Sequence, residues 1–290
     1  MRIALFGNIY RSVLLSHVQI LFEYFENKDV VLLLNKELYE FVSEHGACNM
    51  KRTEIIMDDN FEADIALSIG GDGTFLNTAA RIGRKQIPIL GINTGRLGFL
   101  ADVSTEEIVP ALDAVLAKKY SIQDRTLLAV ETSDGTAFDY PYALNEVSVL
   151  KQDSSSMLSI TASVNGEKVH TYHADGLLVS TPTGSTAYSM SVGGPLVVPE
   201  AENFILSPIA SHSLNVRPLI VPDTWVFELE VSSRSQCYLV ALDGRSKVLD
   251  LSTKLKITKA DYTIKVIKQL NHTFFDTLKN KLMWGVDKRN

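Results

Sequence analysis

Along residues 2–125, short apolar runs alternate with amphipathic stretches. Residues 3–6 are continuously apolar and predict a strand ending near Gly7. Over 12–27 the apolar positions Val13, Val18, Leu21, Phe22 and Phe25 follow helical spacing. The run 30–34 has no polar position, as expected of a strand buried on both faces. The pattern then predicts a helix over 36–45 stopped near Gly46, a buried strand over 64–69, a helix over 75–82 and a strand over 87–92. Ser104, with Glu107 three residues on, forms a capping box for a helix reaching Ala117. Repeated β-α-β units with short links predict a parallel sheet with helices on both faces.

After about residue 120 the period changes. Short strands are predicted over 127–132, 143–150, 157–164, 168–173, 177–181, 225–231, 237–242, 247–251 and 254–259. Asp134-Gly135 and Asn165-Gly166 are hairpin-turn signals. This half reads as mostly antiparallel β, with one helical segment over 185–192. The tail becomes helical again, its face formed by Phe274, Phe275, Leu278, Leu282, Met283 and Val286. An isolated amphipathic helix needs a surface to cover, and the first domain is the expected one. The predicted division is an α/β domain over 1–122, a β-rich domain over 123–268 and a C-terminal helix over 269–290 packing back on the first domain. There is no internal repeat.

Composition adds few constraints. Of 290 residues, 46% are apolar and 21% charged, ordinary for a globular protein. The net charge of -6 argues against a chain whose main task is to wrap nucleic acid or lie on an anionic bilayer. The charge is uneven, with eleven Lys/Arg against four Asp/Glu over 245–290. Cys48 and Cys237 have no metal-like spacing. No run resembles a signal peptide or membrane span, so a cytoplasmic, reducing compartment is expected.

The sharpest chemical feature is the strand over 64–69 running into Gly70-Gly71-Asp72-Gly73-Thr74 and then a helix. In a parallel sheet that turn lies at the carboxyl edge, where ligands bind. Gly70, Gly71 and Gly73 allow close approach to a phosphate, Thr74 offers a hydroxyl, and a helix start favours an anion. Asp72 is anomalous there, since a carboxylate repels phosphate unless it handles a cation or takes a proton. The sequence lacks both the lysine of a Walker loop and the third glycine of a dinucleotide fingerprint. A second loop, residues 91–100, carries Asn93 for a ligand or a turn cap, Arg96 for phosphate, and Phe99 for a base or the core.

Three polar clusters interrupt the β-rich half. Asn145-Glu146 suits an adenine edge and ribose hydroxyls or a metal. His173-Ala174-Asp175-Gly176 offers a carboxylate or a turn. Residues 180–189 string hydroxyls around Gly184, suiting sugar, carboxamide or phosphate contacts as well as helix capping. Asp243-Gly244-Arg245 is a fourth candidate, or a tight turn.

The GGDGT loop, the NTGRLGFL loop, and the ALNEV, ADG and STPTGSTAYS segments occur here in the order used by bacterial-type NAD kinases, and the chain resembles that family. The resemblance implies a fold similar to diacylglycerol kinases and transfer of the terminal phosphoryl group of ATP to the 2'-hydroxyl of the adenosine ribose of NAD. It also implies a divalent metal such as Mg2+ and a homodimer or homotetramer. Carried over by position, Asp72 matches the catalytic aspartate, with Gly71, Gly73 and Thr74 beside it. Asn145 and Glu146 match adenosine-side contacts, and Asp175 a nicotinamide-side carboxylate. Thr186, Ala187, Tyr188, Ser189, Met190 and Ser191 match the NAD-binding run, with Thr183, Phe99 and Asn93 as neighbours. His173, Ser156 and Arg245 depart from residues common in the family, which leaves phosphate contacts there, and the role of Asp243 beside them, open.

The implied mechanism has Asp72 orienting the ribose hydroxyl and taking its proton late, which a loose phosphoryl transfer allows. Metal would arrive through the ATP phosphates or involve Glu146. The competing readings are a lipid or sphingoid kinase and a non-catalytic NAD-binding regulatory module.

Overall fold

The computed structural model describes residues 1–10, 13–45, 51–95, 98–152, 157–270 and 272–285. Cys48, Arg96, Ser156 and Val286 lie outside the described residues. In chain order the first elements are β1 (Arg2–Gly7), α1 (Leu14–Phe25), β2 (Val31–Asn35), α2 (Lys36–His45), β3 (Thr53–Ile56), β4 (Ile65–Ile69), α3 (Asp72–Ile82), β5 (Ile89–Ile92) and α4 (Ile108–Leu116). There follow β6 (Tyr120–Thr132), β7 (Tyr142–Ala143), β8 (Glu146–Leu150), β9 (Leu158–Val164), β10 (Glu167–Ala174), β11 (Gly176–Ser180), α5 (Tyr188–Ser191), β12 (Asn203–Ile209) and β13 (Leu219–Pro222). The last are β14 (Phe227–Ser232), β15 (Cys237–Leu242), β16 (Arg245–Asp250), β17 (Leu255–Gln269) and α6 (Phe274–Leu282). The chain divides into two compact units, Met1–Asp124 with Ile264–Asn290, and Arg125–Thr263.

The first unit is built on parallel strands in the order β3-β2-β1-β4-β5, and Val266 of β17 pairs in parallel with Ile89. Its core joins Ile3, Leu5, Leu34, Leu67 and Ile69 of the sheet to Leu14, Val18 and Leu21 of α1 and Ile108, Leu112 and Val115 of α4. All five residues of β4 are buried, which explains its uninterrupted apolar sequence. Strand order reverses between β1 and β4: β1 leads outward to β2 and β3, while β4 leads the other way to β5. In open α/β sheets the ligand crevice lies beyond the carboxyl ends of the strands at such a reversal. Gly70-Gly71-Asp72 follows β4 at that point.

The second unit contains two antiparallel arrays, one ordered β10-β9-β14-β17 and the other β13-β12-β11-β8-β15-β16. Their inward residues share one core, with Ile160, Val164, Phe227 and Leu229 from the first array and Val147, Val149, Val179, Phe204, Tyr238 and Val240 from the second. Asn165-Gly166 and Asp243-Gly244 both take positive φ at both residues, the conformation of tight hairpin turns.

Several predicted elements change shape. The strand expected over 143–150 is split into β7 and β8, because Leu144 and Asn145 turn their N–H groups to Asp243 instead of to a neighbouring strand. The helix expected over 185–192 is a 3-10 turn (Thr183–Thr186) followed by the single turn α5. β3, β12 and β13 were not anticipated, nor was the extension of β17 to Gln269. The tail helix does not bury a broad apolar face: Leu278 is buried, whereas Phe275 and Met283 are exposed.

Candidate active site

Only Gly70 and Gly71 separate β4 from α3, and Asp72 is the first residue of that helix. Gly70 is required by close approach, since a Cβ there would lie 2.2 Å from Thr74 Oγ1. Gly71 and Gly73 differ, because a Cβ at either would meet nothing within 4 Å. Packing does not dictate glycine at these two positions, and open space surrounds the start of α3.

The Asp72 carboxylate is held by the following loop. Its Oδ2 accepts the N–H of Phe99 at 3.0 Å, and its Oδ1 accepts those of Leu100 at 3.0 Å and Ala101 at 3.1 Å. Gly98 makes this seat possible, because a Cβ there would lie 2.0 Å from Oδ1. The ammonium of Lys281, from α6, stands 3.5 Å from Oδ2. The two side chains are 29% (Asp72) and 30% (Lys281) exposed, so the pair is reachable from solvent.

The loop is itself tied down. Buried Asn93 donates its backbone N–H to Val103 and its Nδ2 to Ala101, while its Oδ1 accepts the N–H of Gly95 at 2.7 Å. Asn93 thus acts as a turn staple. Phe99 is buried, its ring centroid 6.2 Å from that of Phe274 and 4.5 Å from Lys281 Nζ. Buried Asp102 pairs with Lys268 at 2.5 Å and His272 at 3.5 Å. Burial pushes the Asp102 carboxyl up, but Lys268 and His272 more than offset this and hold it below its ordinary value. The hydrogen bond to Asp102 raises His272, against the opposing effect of burial.

In the second unit, the Asn145-Glu146 backbone is held from two sides. Asp243 accepts the N–H groups of Leu144 at 2.7 Å, Asn145 at 2.8 Å and Glu146 at 3.1 Å. From the other side, Thr181 N–H and Ser180 Oγ donate to Asn145 O, and Thr181 Oγ1 donates to Leu144 O. A Cβ on Gly184 would lie 2.1 Å from Asn145 O, so the hydroxyl-rich segment fits there only with glycine. Within this frame, Asn145 Oδ1, Glu146 Oε2 and Ser189 Oγ are buried without a hydrogen-bond partner. Buried polar atoms are nearly always paired in folded proteins, and three orphans around one segment suit contact with a polar ligand. Burial, then the charge of Asp243, push the Glu146 carboxyl up to about 8, opposed by the N–H of Tyr188. Burial also raises Asp243, against its three N–H bonds.

The remaining predicted residues lie around this frame with partners of their own. Thr183 is buried and 3.4 Å from Arg125, and Thr186 and Ala187 donate to Thr183 O and Gly184 O. Tyr188 and Ser191 are exposed and Met190 half-buried. Asp175 pairs with Lys151 at 2.7 Å, and His173 is exposed beside Ser159. Arg245 donates to Tyr142 O and covers the Tyr140 ring.

Among the described residues no three His, Cys, Asp or Glu side chains converge as a metal cage. The oxygens of Asp72 face N–H donors and an ammonium, which does not suit a resident cation. Glu146 offers one orphaned oxygen, too few for a site of its own. Sequence reasoning missed Gly98 and Lys281. Gly98 lay within a quoted motif, but Lys281 is 209 residues from Asp72 and had no local signal.

Residues 4–120 match the family description "ATP-NAD kinase N-terminal domain" and residues 144–269 match "ATP-NAD kinase C-terminal domain". The chain is 49% identical over 289 residues to an NAD kinase of Bacteroides fragilis, covering 100% of both chains. It is 41% identical to an NAD kinase of Cytophaga hutchinsonii, covering 99% of both. An NAD kinase from Archaeoglobus fulgidus solved in complex with ATP superposes with a TM-score of 0.75 at 28% identity, covering 98% of this chain and 99% of that one. A yeast NADH kinase complexed with NADH shares the fold, with a TM-score of 0.91 at 19% identity over 99% of this chain and 88% of that one. No described helix is long and apolar enough to cross a membrane.

Proposed function

The chain belongs to the ATP-NAD kinase family, and from that premise we propose that Asp72 takes the proton of the ribose hydroxyl during phosphoryl transfer. The protein is an ATP-dependent NAD kinase, converting NAD and ATP to NADP and ADP. The observation that carries the assignment of Asp72 is its seat at the strand-order reversal, fixed by three N–H groups and flanked by two glycines with open space around them.

In this reading the two units divide the work. The second unit recognises the dinucleotide, with Asn145 Oδ1, Glu146 Oε2 and Ser189 Oγ finding in it the partners they lack. The first unit performs the transfer. Asp72 Oδ1 accepts two backbone N–H groups and Oδ2 only one, so Oδ2 keeps the lone pair assigned here to receive the proton. The 2'-oxygen bonds to the terminal phosphorus as the bridging P–O bond breaks, and its electron pair leaves with ADP. Holding the carboxylate rigidly supplies orientation before reaction. A divalent cation would be held by the ATP phosphates rather than by a protein cage, and would offset charge on the transferred group. A dimer or tetramer fits the exposed apolar residues Leu214, Leu219 and Ile220 on and before the edge strand β13.

The test is Asp72→Asn at saturating NAD and MgATP, with product read by an NADP-specific dehydrogenase. A general base contributes about 10²–10⁴-fold, so turnover within about threefold of wild type would defeat the assignment. Running the assay with NADH and polyphosphate fixes the acceptor and donor range.

A further inference from the structure

We propose that Lys281 supplies a positive charge to the phosphoryl-transfer site, leaving Asp72 for the migrating phosphoryl group as the ribose hydroxyl arrives. The glycine loop carries no lysine, yet a site that moves a triphosphate's terminal group beside a carboxylate must offset the repulsion between them. α6 delivers one. Lys281 Nζ lies 3.5 Å from Asp72 Oδ2 and 4.5 Å from the Phe99 ring centroid.

This placement is built into the unit. Thr273 and Asp276 form a capping box at the start of α6, and Leu278 is buried. Phe274 packs on Phe99, and Lys268 and His272 hold Asp102. The segment that brings Lys281 therefore grips the same loop that seats Asp72. Lys281 itself is not part of that grip through burial, since its side chain reaches the carboxylate along a partly exposed path.

Distances make the transfer reasonable. A ribose hydroxyl donating to Oδ2 has its oxygen about 2.7 Å away, and it is this hydroxyl oxygen that bonds to phosphorus. The phosphoryl oxygens therefore come within a few ångströms of the space Lys281 already occupies. Hydroxyl and ammonium compete for Oδ2, and the incoming phosphoryl charge gives the ammonium a new partner. Charge-assisted bonds of this kind are roughly twice as strong as neutral ones. The electron pairs move as described above; Lys281 forms and breaks no covalent bond and neutralises charge on the transferred group.

The inference rests on the assignment of Asp72, and the experiment separates the two. Lys281→Met, Lys281→Arg, Asp72→Asn and the Asp72→Asn/Lys281→Met double variant are compared in the full chain. Steady-state kinetics with MgATP and NAD, NAD binding by calorimetry and thermal melting are measured for each. Lys281→Met should lower kcat about 10²-fold, Lys281→Arg should recover most of that loss, and NAD affinity and melting temperature should hold. The double variant should be slower than Asp72→Asn alone. A double variant no slower than Asp72→Asn would mean that Lys281 acts only through the carboxylate, and the proposal falls. It also falls if Lys281→Met keeps wild-type kcat, or if its loss follows a drop in melting temperature that arginine does not restore. Asp72→Asn retaining turnover would overturn the base assignment, while the Lys281→Met and Lys281→Arg results would still decide the role of the lysine.

Discussion

Two aspartates in this protein are anchored in the same way and serve different ends. Asp72 accepts the N–H groups of Phe99, Leu100 and Ala101, and Asp243 accepts those of Leu144, Asn145 and Glu146. What surrounds each cradle differs. Asp72 keeps one oxygen facing an ammonium and the open space around Gly71 and Gly73. Asp243 sits in a hairpin turn, where burial raises its carboxyl and its charge helps raise Glu146. A carboxylate held by three backbone donors is rigid; whether it reacts or merely supports depends on what its remaining lone pairs can reach. In the first unit the anchored group is the proposed reagent. In the second it shapes the backbone beneath Asn145 and Glu146, the proposed ligand contacts.

Exchanging each aspartate for asparagine probes that division most strongly. Asp72→Asn should lower kcat about 10²–10⁴-fold and leave NAD binding in place. Asp243→Asn must turn an amide N–H toward a backbone donor, at about 1–3 kcal/mol of stability, and should weaken NAD binding more than it slows turnover. Equal losses of kcat at saturating NAD would erase the distinction.

The glycines that admit each cradle give the next test. Gly98→Ala places a methyl 2.0 Å from Asp72 Oδ1 and displaces a side chain. Displacing a catalytic group by about 1 Å costs on the order of 10²-fold in rate, which turnover measurements would detect. Gly184→Ala instead meets Asn145 O at 2.1 Å and must move backbone. It should cost about 1–3 kcal/mol in denaturant melts and reduce NAD affinity.

Titration sharpens the contrast further. Glu146, raised to about 8, favours the folded state while protonated, so its contribution is present below the ordinary glutamate range and lost as pH rises through about 8. Relative to wild type, Glu146→Gln should be neutral at pH 5 and stabilising by about 1–3 kcal/mol at pH 9. Melts across that range would show a flat difference if the carboxyl titrated normally. The smallest effect belongs to the first unit. His272, raised by Asp102, stabilises below the ordinary histidine value, and this is lost as pH rises through its folded value. His272→Gln should remove about 0.5 kcal/mol at pH 5.5 and almost nothing at pH 9, read by the same melts.

The contrast between the two cradles also explains which parts of the molecule were readable in advance. The β4–loop–α3 unit was legible because its buried strand, its glycines and Asp72 are adjacent in the chain. Asn145-Glu146 was legible as polar chemistry inside apolar strands. Asp243-Gly244 read as either a turn or a ligand contact; it forms the turn, and its side chain reaches back to the neighbouring segment. Lys281 was not legible, because a charged residue near the end of an amphipathic helix carries no local signal of its partner, and the ion pair with Asp72 spans 209 residues of the chain. β12 and β13 carry Pro208 and Pro222, which argue against strands locally, and sheet pairing overrides that preference. β17 runs beyond its predicted end to Gln269, where Val266 pairs with Ile89 of β5, a long-range pairing with no local sequence signal.

That last strand has a consequence for how the protein is made. Val266, Lys268 and α6 leave a ribosome only after residues 125–263 have emerged, so the parallel sheet of the first unit waits for its final strand while the whole β-rich unit is translated. Closing a loop of that length costs entropy that grows only slowly with size, but it imposes an order of assembly. A nascent chain stalled before β17 has its glycine turn and Asp72 already synthesised, but lacks both the strand that pairs with the outer side of β5 and the ammonium that faces the carboxylate.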